Sequence, residues 1–200
     1  MIRIIDYKSG NAQSVMHAVT RLGYKADFAR RPEDITDAAY IILPGVGSAK
    51  ATMESLKELN LIGELETAVL RKKVLFLGIC IGMQILFEFS EEGNADCFGW
   101  LKGRVKKFDD SKVKVPQMGW NHVHFEKKPY VARDAFFYFV NSYYVKPYNK
   151  SDIWGTAEYN GNFPAAVCKD NIFATQFHIE KSGEAGLALL NGFIGLGNEG

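Results

Sequence analysis

Residues 74–87 read Val-Leu-Phe-Leu-Gly-Ile-Cys-Ile-Gly-Met-Gln-Ile-Leu-Phe. The stretch begins as a continuous apolar run, which is typical of a strand that is buried on both faces. Beyond it, Met83, Leu86 and Phe87 have helical spacing. We therefore predict a strand, a sharp turn and a helix, with Cys80 on the turn.

The two glycines that flank Cys80 favour a chemical role for this residue. Gly78 and Gly82 suit a strained strand-to-helix turn at which another backbone or a substrate comes close. A thiol at a helix N-terminus lies near unpaired N–H groups that favour the nucleophilic thiolate, and the N–H of Ile81 could bind an oxyanion. The alternative at this stage is a buried structural cysteine, because free cysteines are usually buried.

Composition indicates one α/β domain over residues 1–200. Apolar residues make up 47% of the chain and charged residues 24%, as in ordinary globular proteins. The net charge of +1 predicts no attraction to nucleic acid or to a membrane surface. The longest mostly apolar run, residues 74–87, is too short to cross a bilayer.

The three cysteines, Cys80, Cys97 and Cys168, form neither a disulfide framework nor a zinc-ligand spacing. An odd number of cysteines without such spacing indicates reduced thiols, so we expect a cytoplasmic protein. The N-terminal residues 1–6 are typical of a first strand and not of a signal peptide. We expect no metal and no cofactor.

Hydrophobic patterning predicts two different halves. In the first half, strands alternate with helices, which indicates a mostly parallel sheet with helices on both faces; the strands are 2–6, 24–29, 39–43 and 74–77, and the helices 12–22, 50–59 and 61–71. The second half is rich in strands that are antiparallel in part, at 100–108, 121–125, 135–140, 153–159, 165–169 and 172–177. Asn160-Gly161 and Asp170-Asn171 predict hairpin turns. A final helix is expected over residues 183–194, with Ser182 as its N-cap.

Two further motifs follow predicted strands. His178 and Glu180 are two residues apart, so on an extended chain their side chains share one face, as a cysteine nucleophile's base and its orienting carboxylate would. The ends of parallel strands share one edge of a sheet, so His178 can meet Cys80. Residues 44–47, Pro-Gly-Val-Gly, could supply further oxyanion donors at that edge. An ordinary surface His–Glu pair and a plain loop are the alternatives.

These motifs together resemble the class I glutamine amidotransferases. The sequence Gly-Ile-Cys-Ile-Gly-Met-Gln at 78–84 and His178-x-Glu180 carry the resemblance. Within the family, further stretches resemble the glutaminase subunits of imidazole glycerol phosphate synthase, an enzyme of histidine biosynthesis; they are Asp6-Tyr7 with Gly10-Asn11 and Ser14-Val15, residues 44–47, residues 115–121 and residues 137–143. The resemblance extends from residue 2 to about residue 195.

The resemblance implies a function and a role for each matching residue. Glutamine would be hydrolysed to glutamate and ammonia, with Cys80 as nucleophile, His178 as general acid and base, and Glu180 as its orienting carboxylate. The implied oxyanion site comprises Gly45, Val46, Gly47 and Ile81, and the implied glutamine site comprises Gln84, Glu92, Ser142 and Tyr143. The ammonia would pass to a (β/α)8-barrel cyclase subunit, as a heterodimer, through a face that comprises Asn11, Pro116, Gln117, Met118, Gly119, Trp120, Asn121 and Lys181.

Two positions depart from the family pattern. Ile179 replaces the proline of the usual His-Pro-Glu, so we expect His178 to be less rigidly held in the resting state. Asn141 stands where histidine is common, which would tune activation by the partner differently. The resemblance leaves three other functions open: a related glutaminase that feeds sugar amidation for surface polysaccharides, an inactive scaffolding subunit and a cysteine peptidase.

Overall fold

The computed structural model describes residues 1–7, 11–126 and 132–198, without the side chain of Asn198. Three residues of the predicted loop at 6–11, Lys8, Ser9 and Gly10, lie outside this description. The described strands are β1 (Ile2–Ile5), β2 (Ala26–Ala29), β3 (Tyr40–Gly45), β4 (Leu75–Cys80), β5 (Phe89–Ser90), β6 (Ala95–Asp96), β7 (Gly103–Lys107), β8 (Gln117–Phe125), β9 (Ala135–Asn141), β10 (Tyr143–Pro147), β11 (Ile153–Glu158), β12 (Asn162–Lys169) and β13 (Ile172–Thr175).

The described helices are α1 (Ala12–Arg21), α2 (Ala49–Glu58), α3 (Ile62–Glu66), α4 (Ile81–Gln84) and α5 (Gly183–Gly195). A π-helical turn, Thr67–Arg71, continues α3, and the predicted helix at 61–71 therefore corresponds to two consecutive elements. Short 3-10 turns lie at Pro32–Ile35, Lys150–Asp152, Ile179–Lys181 and Leu196–Asn198.

A mixed nine-stranded sheet runs through the described part of the chain in the order β2-β1-β3-β4-β13-β12-β11-β8-β9. Neighbours from β2 to β13 are parallel, and those from β13 to β9 are antiparallel. This architecture confirms the predicted α/β class with an antiparallel, strand-rich second half. Both predicted hairpin turns are also confirmed, since Asn160-Gly161 joins β11 to β12 and Asp170-Asn171 joins β12 to β13.

A second, four-stranded sheet in the order β10-β7-β5-β6 was not predicted. Two of its strands, β5 and β6, have only two residues each, so they show no periodicity that a sequence could reveal. They form because β5 pairs with β6 on one side and with β7 on the other, which is a tertiary effect.

The predicted helix after Cys80 is much shorter than expected. Helix α4 ends at Gln84, and Leu86 and Phe87 continue in a turn. Both side chains are fully buried, so their spacing reflects burial and not helical structure. The structure also starts the strand that carries Trp120 earlier, at Gln117, than the predicted 121.

The carboxyl ends of β3, β4 and β13 lie side by side at one edge of the sheet. Gly45 pairs with Cys80, and Thr175 pairs with Ile79. This register places Cys80, the residues after β3 and the residues after β13 together, as the parallel pattern predicted.

Candidate active site

Cys80 lies at a strained turn between β4 and α4. Its backbone has φ 57° and ψ −106°, a conformation that non-glycine residues rarely adopt and that costs about 1–3 kcal/mol. A Cβ at Gly78 would lie 2.5 Å from the carbonyl oxygen of Gly82, and a Cβ at Gly82 would overlap the carbonyl oxygen of Leu43. The two flanking glycines are therefore required by close backbone approach, as predicted.

His178 and Glu180 form a buried pair beside Cys80. The imidazole Nδ1 lies 2.8 Å from Glu180 Oε1, and the two side chains are 3% and 1% exposed. The contact was predicted from an extended chain, but that geometry was wrong, because Glu180 lies on the 3-10 turn Ile179–Lys181. The turn brings the carboxylate back to the Nδ1 edge of the ring.

The electrostatics of this pair favour a protonated imidazole. Burial lowers the pKa of His178, but its hydrogen bonds with Cys80 and Glu180 outweigh burial and raise that pKa to about 10. Burial raises the pKa of the Glu180 carboxyl, yet the hydrogen bonds with His178 and Asn11 give a net lowering. An imidazolium next to a cysteine sulfur favours the thiolate, which is the nucleophilic form of the side chain.

The backbone of His178 is held by strand β9 and by Ser182. Its N–H donates to the Tyr138 carbonyl over 2.9 Å. The Ser182 hydroxyl donates to the His178 carbonyl over 2.6 Å and accepts from the Tyr138 N–H over 3.0 Å. Ser182 is the N-cap residue of α5, as predicted, but its side chain makes no capping hydrogen bond. These bonds fix the turn around the buried Ile179 without a proline.

A cavity of about 280 Å³ opens in front of Cys80. Most of the predicted oxyanion and glutamine-site residues line it, and they share it with parts of the predicted docking face; its lining is Val46, Gly47, Cys80, Ile81, Gln84, Glu92, Pro116, Val140, Asn141, Ser142, Tyr143, His178 and Lys181. Gly45 does not line the cavity, because it packs beneath it against Tyr7 and Ile81. Glu180 lies behind His178.

Glu92 and Gln84 occupy the cavity wall in different ways. Glu92 Oε2 accepts from the Ala49 N–H over 3.0 Å, and burial raises the pKa of this carboxyl in spite of that bond. The buried Gln84 amide donates to the Tyr143 carbonyl over 3.3 Å and to Gln176 Oε1 over 3.1 Å. Glu92 thus offers a carboxylate to a ligand, whereas the Gln84 donor is already occupied.

The predicted docking residues divide between the surface and the interior. Met118 and Trp120 are 65% and 57% exposed, and their side chains alternate along β8 with the buried Gln117. Gly119 and Asn121 are half-buried, and Pro116 and Lys181 lie at the cavity mouth. Of this stretch, Gln117 therefore has a buried side chain, whereas Met118 and Trp120 are available to a partner.

Asn11, which the resemblance implies as a docking residue, has a buried side chain. Asn11 is 3% exposed, and its Nδ2 lies 3.5 Å from His178 Nδ1. Since that nitrogen contacts Glu180, the amide of Asn11 is best placed to donate to the carboxylate, and it lowers the pKa of Glu180. Asn11 belongs to the buried cluster behind the cavity.

Sequence reasoning missed three residues that contact the site. Gln176 Nε2 lies 3.7 Å from Cys80 Sγ, and Tyr138 and Ser182 hold the backbone of His178. Only Gln176 carried a usable signal, because it is two residues before His178 and therefore on the same face of the extended chain.

Within the described residues, no cluster of His, Cys, Asp and Glu could hold a metal ion, and no helix is long and apolar enough to cross a membrane.

Residues 3–195 match the sequence model of the family described as glutamine amidotransferase class-I. The chain belongs to the class I glutamine amidotransferase family. Among solved structures, it is similar to a chain described as a glutamine amidotransferase, with a TM-score of 0.80 and 17% identity over 98% of both chains. The structure of PurLQS from Thermotoga maritima gives a TM-score of 0.74 at 17% identity, over 98% of this chain and 97% of that one. These two likenesses show the fold.

Curated amidotransferase sequences are more similar. Imidazole glycerol phosphate synthase subunit HisH 2 of Methanococcus maripaludis is 43% identical over 97% of this chain and 98% of that protein. The HisH subunit of Leptospira interrogans is 40% identical over 98% of this chain and all of its own length. Subunit HisH 1 of Campylobacter jejuni is 43% identical over 98% of this chain and 100% of that protein. The chain is thus a glutamine amidotransferase similar in length to these subunits.

Proposed function

We propose that the chain is the glutaminase subunit of an imidazole glycerol phosphate synthase. It hydrolyses glutamine to glutamate and ammonia and passes the ammonia to a (β/α)8-barrel cyclase subunit, which forms imidazole glycerol phosphate and 5-aminoimidazole-4-carboxamide ribonucleotide. The full-length relatives that bear this name support the pathway. One observation above all supports the chemistry: Cys80 lies on a strained turn and lines the same cavity as His178.

The first half of the reaction forms a thioester. The Cys80 thiolate attacks the side-chain amide carbon of glutamine, and backbone N–H groups of the segment at Val46-Gly47 and of Ile81 stabilise the oxyanion. The imidazolium of His178 then donates its proton to the amide nitrogen as the carbon–nitrogen bond breaks. Ammonia leaves, and a glutamyl thioester remains on Cys80.

The second half releases glutamate. His178, now neutral, takes a proton from water, and the resulting hydroxide attacks the thioester carbon. Collapse of that intermediate expels the thiolate, so the Cys80–His178 pair returns to its starting state. Glu180 holds the imidazole by Nδ1 throughout, which directs the other ring nitrogen at the reacting atoms.

The cavity fits the charges of free glutamine. Glu92 offers a carboxylate that complements the α-ammonium group, and Ser142 and Tyr143 line the same cavity. Burial keeps water from this carboxylate, which strengthens an ion pair formed with a bound substrate. A peptide would have no free ammonium at this position, so the cavity favours the free amino acid.

An exposed apolar surface next to the cavity suits the cyclase subunit. We define it as the outer face of the β8–β9 hairpin: Met118, Trp120, Phe136 and Tyr138. The first three are more than half exposed, and large exposed apolar patches mark interaction sites. Pro116, Val140 and Lys181 connect this face to the cavity mouth. The backbone of Tyr138 also forms hydrogen bonds with His178 and Ser182. A partner that binds this face would therefore contact a residue that holds the catalytic turn.

The protein works as one domain in a reducing compartment, and we place it in the cytoplasm. All three cysteines are free thiols, and the proposed mechanism needs Cys80 reduced. Burial raises the pKa of Cys97 to about 12 and that of Cys168 to about 11, so neither thiol is suited to compete as a nucleophile.

The decisive experiment measures glutamate release from glutamine by the purified chain. The chain is assayed alone, with the histidine-pathway cyclase and its nucleotide substrate, and with sugar-amidating components from the same cell. We expect strong stimulation by the cyclase and no turnover by Cys80→Ser. Stimulation by the sugar-amidating components alone would contradict the pathway, and peptide hydrolysis would contradict the substrate.

The docking surface is tested with a matched pair of variants. Trp120→Ala should weaken stimulation by the cyclase at least tenfold, because tryptophans that a partner buries often contribute most of the binding energy of an interface. Tyr148→Ala removes an aromatic residue of similar exposure outside the docking face and should leave stimulation unchanged. Equal effects of the two substitutions would remove this face from the proposal.

A further inference from the structure

Behind the cavity, three side chains and one carbonyl form a buried chain of hydrogen bonds that ends on the nucleophile. The Gln84 amide donates to the Tyr143 carbonyl and to Gln176 Oε1, and Gln176 Nε2 lies 3.7 Å from Cys80 Sγ. Gln176 is fully buried, and Gln84 is 2% exposed. Asn141 also donates to the Tyr143 carbonyl, over 3.0 Å.

The direction of this chain is fixed by chemistry. A backbone carbonyl can only accept, so the group of Gln84 that faces Tyr143 must be the NH₂. The same NH₂ faces Gln176, which must therefore present its oxygen to Gln84. The NH₂ of Gln176 is then left to face Cys80 Sγ, and the orientation of a buried amide, which is otherwise ambiguous, is determined here.

The geometry points to Gln176 as a catalytic residue that stabilises the Cys80 thiolate by donating an amide N–H to Sγ, with Gln84 and the Tyr143 carbonyl as the groups that orient it. The inference rests on the proposed role of Cys80 as nucleophile. It assigns Gln84 an orienting function in addition to its predicted place in the glutamine site.

Local structure supports a specific role for Gln176 and not mere filling of space. Gln176 and His178 follow the end of β13 and both contact Cys80, while Phe177 between them packs in the aromatic core against Phe137 and Phe139. The backbone N–H of Gln176 is tied to the Ala165 carbonyl over 2.8 Å. Cys80 Sγ thus has an imidazole on one side and an amide donor on the other.

The test measures the rate at which iodoacetamide alkylates Cys80 in the full chain as a function of pH, without glutamine or cyclase, with the modified peptide identified by mass spectrometry. Gln176→Met keeps similar length and removes the donor. We expect the pH of half-maximal rate to rise by about one unit, which lowers the rate about tenfold at pH values well below the midpoint, while the plateau rate at high pH is kept.

A matched control removes a buried amide elsewhere. Asn171 bonds the carbonyls of Val69 and Val74 at the opposite end of β13, so Asn171→Leu should affect stability without moving the alkylation profile. A folded Gln176→Met variant with an unchanged profile would overturn the inference. If Gln176→Met does not fold, Gln176→Leu, which removes the same NH₂ without adding a charge, is judged by the same criterion. Loss of folding in both variants would also overturn it, since the role would then be structural.

Failure of this inference can be distinguished from failure of the proposed function. Alkylation reports the state of the thiol whether or not glutamine is hydrolysed. A chain that releases no glutamate with any partner, yet shows the expected shift on Gln176→Met, would refute the function and keep the inference.

Discussion

The buried pair of His178 and Glu180 gives the sharpest prediction. Glu180→Gln keeps the shape and an oxygen that can accept from Nδ1, but it removes the negative charge beside the imidazolium. The rise of the His178 pKa from 6.5 to about 10 corresponds to about 5 kcal/mol of stabilisation of the protonated ring. Cys80 and Glu180 both contribute to this effect, and a hydrogen bond to a charged group is worth about 1.5–3 kcal/mol, so we assign about 2 kcal/mol to Glu180.

This stabilisation has a defined pH window. The lowered pKa of Glu180 contributes stability that is present above 4.5 and is lost as the pH falls through the folded-state value. The raised pKa of His178 contributes stability that is present below 6.5 and is lost as the pH rises towards about 10. The difference in unfolding free energy between the wild type and Glu180→Gln should therefore be largest above pH 4.5, and it should shrink as the pH approaches about 10, where the wild-type imidazole loses its proton.

Two assays check the prediction. Urea denaturation from pH 4 to 10 should show a difference of about 2 kcal/mol within that window and a smaller one on either side. Glutamate release with saturating cyclase should lose about 30-fold in kcat, because the same energy stabilises the imidazolium in the reaction. Glu184→Gln, an exposed control on α5, should change neither quantity. A pH-independent difference, or an unchanged kcat, would refute the argument.

Three further changes test other parts of the site. Glu92→Gln should raise the KM for glutamine about tenfold at neutral pH. In the wild type, protonation of Glu92 should raise the KM as the pH falls, and a pH series of initial rates should show that the variant lacks this rise. Gly82→Ala would drive a Cβ into the Leu43 carbonyl and should cost about 1–3 kcal/mol in denaturation, whereas Gly63→Ala has open space and should cost nothing. Ser182→Ala removes the hydroxyl between Tyr138 and His178 and should lower kcat with little change in KM; a change in KM alone would argue against its positioning role.

The sequence alone was enough to predict the turn at Cys80 and the position of His178 near it. The apolar run, the two glycines and the strand–helix alternation are local signals, and parallel strands end at a common edge whatever the details of packing. The hairpin at Asn160-Gly161 is a local signal too, because positive φ at both residues suits this tight turn. For the same reason, the overall α/β class was predictable.

The tertiary structure decided how individual side chains are used. The sequence could not show that Asn11 is buried against Glu180, or that β5 and β6 exist, because both depend on contacts between residues far apart in the chain. The direction of the Gln176 amide is another example. It follows from the carbonyl of Tyr143 on β10, which can only accept hydrogen bonds. Tyr143 lies 33 positions before Gln176 in the chain. Local periodicity determines which residues are buried, whereas the partners of buried polar groups are determined only when the strands assemble.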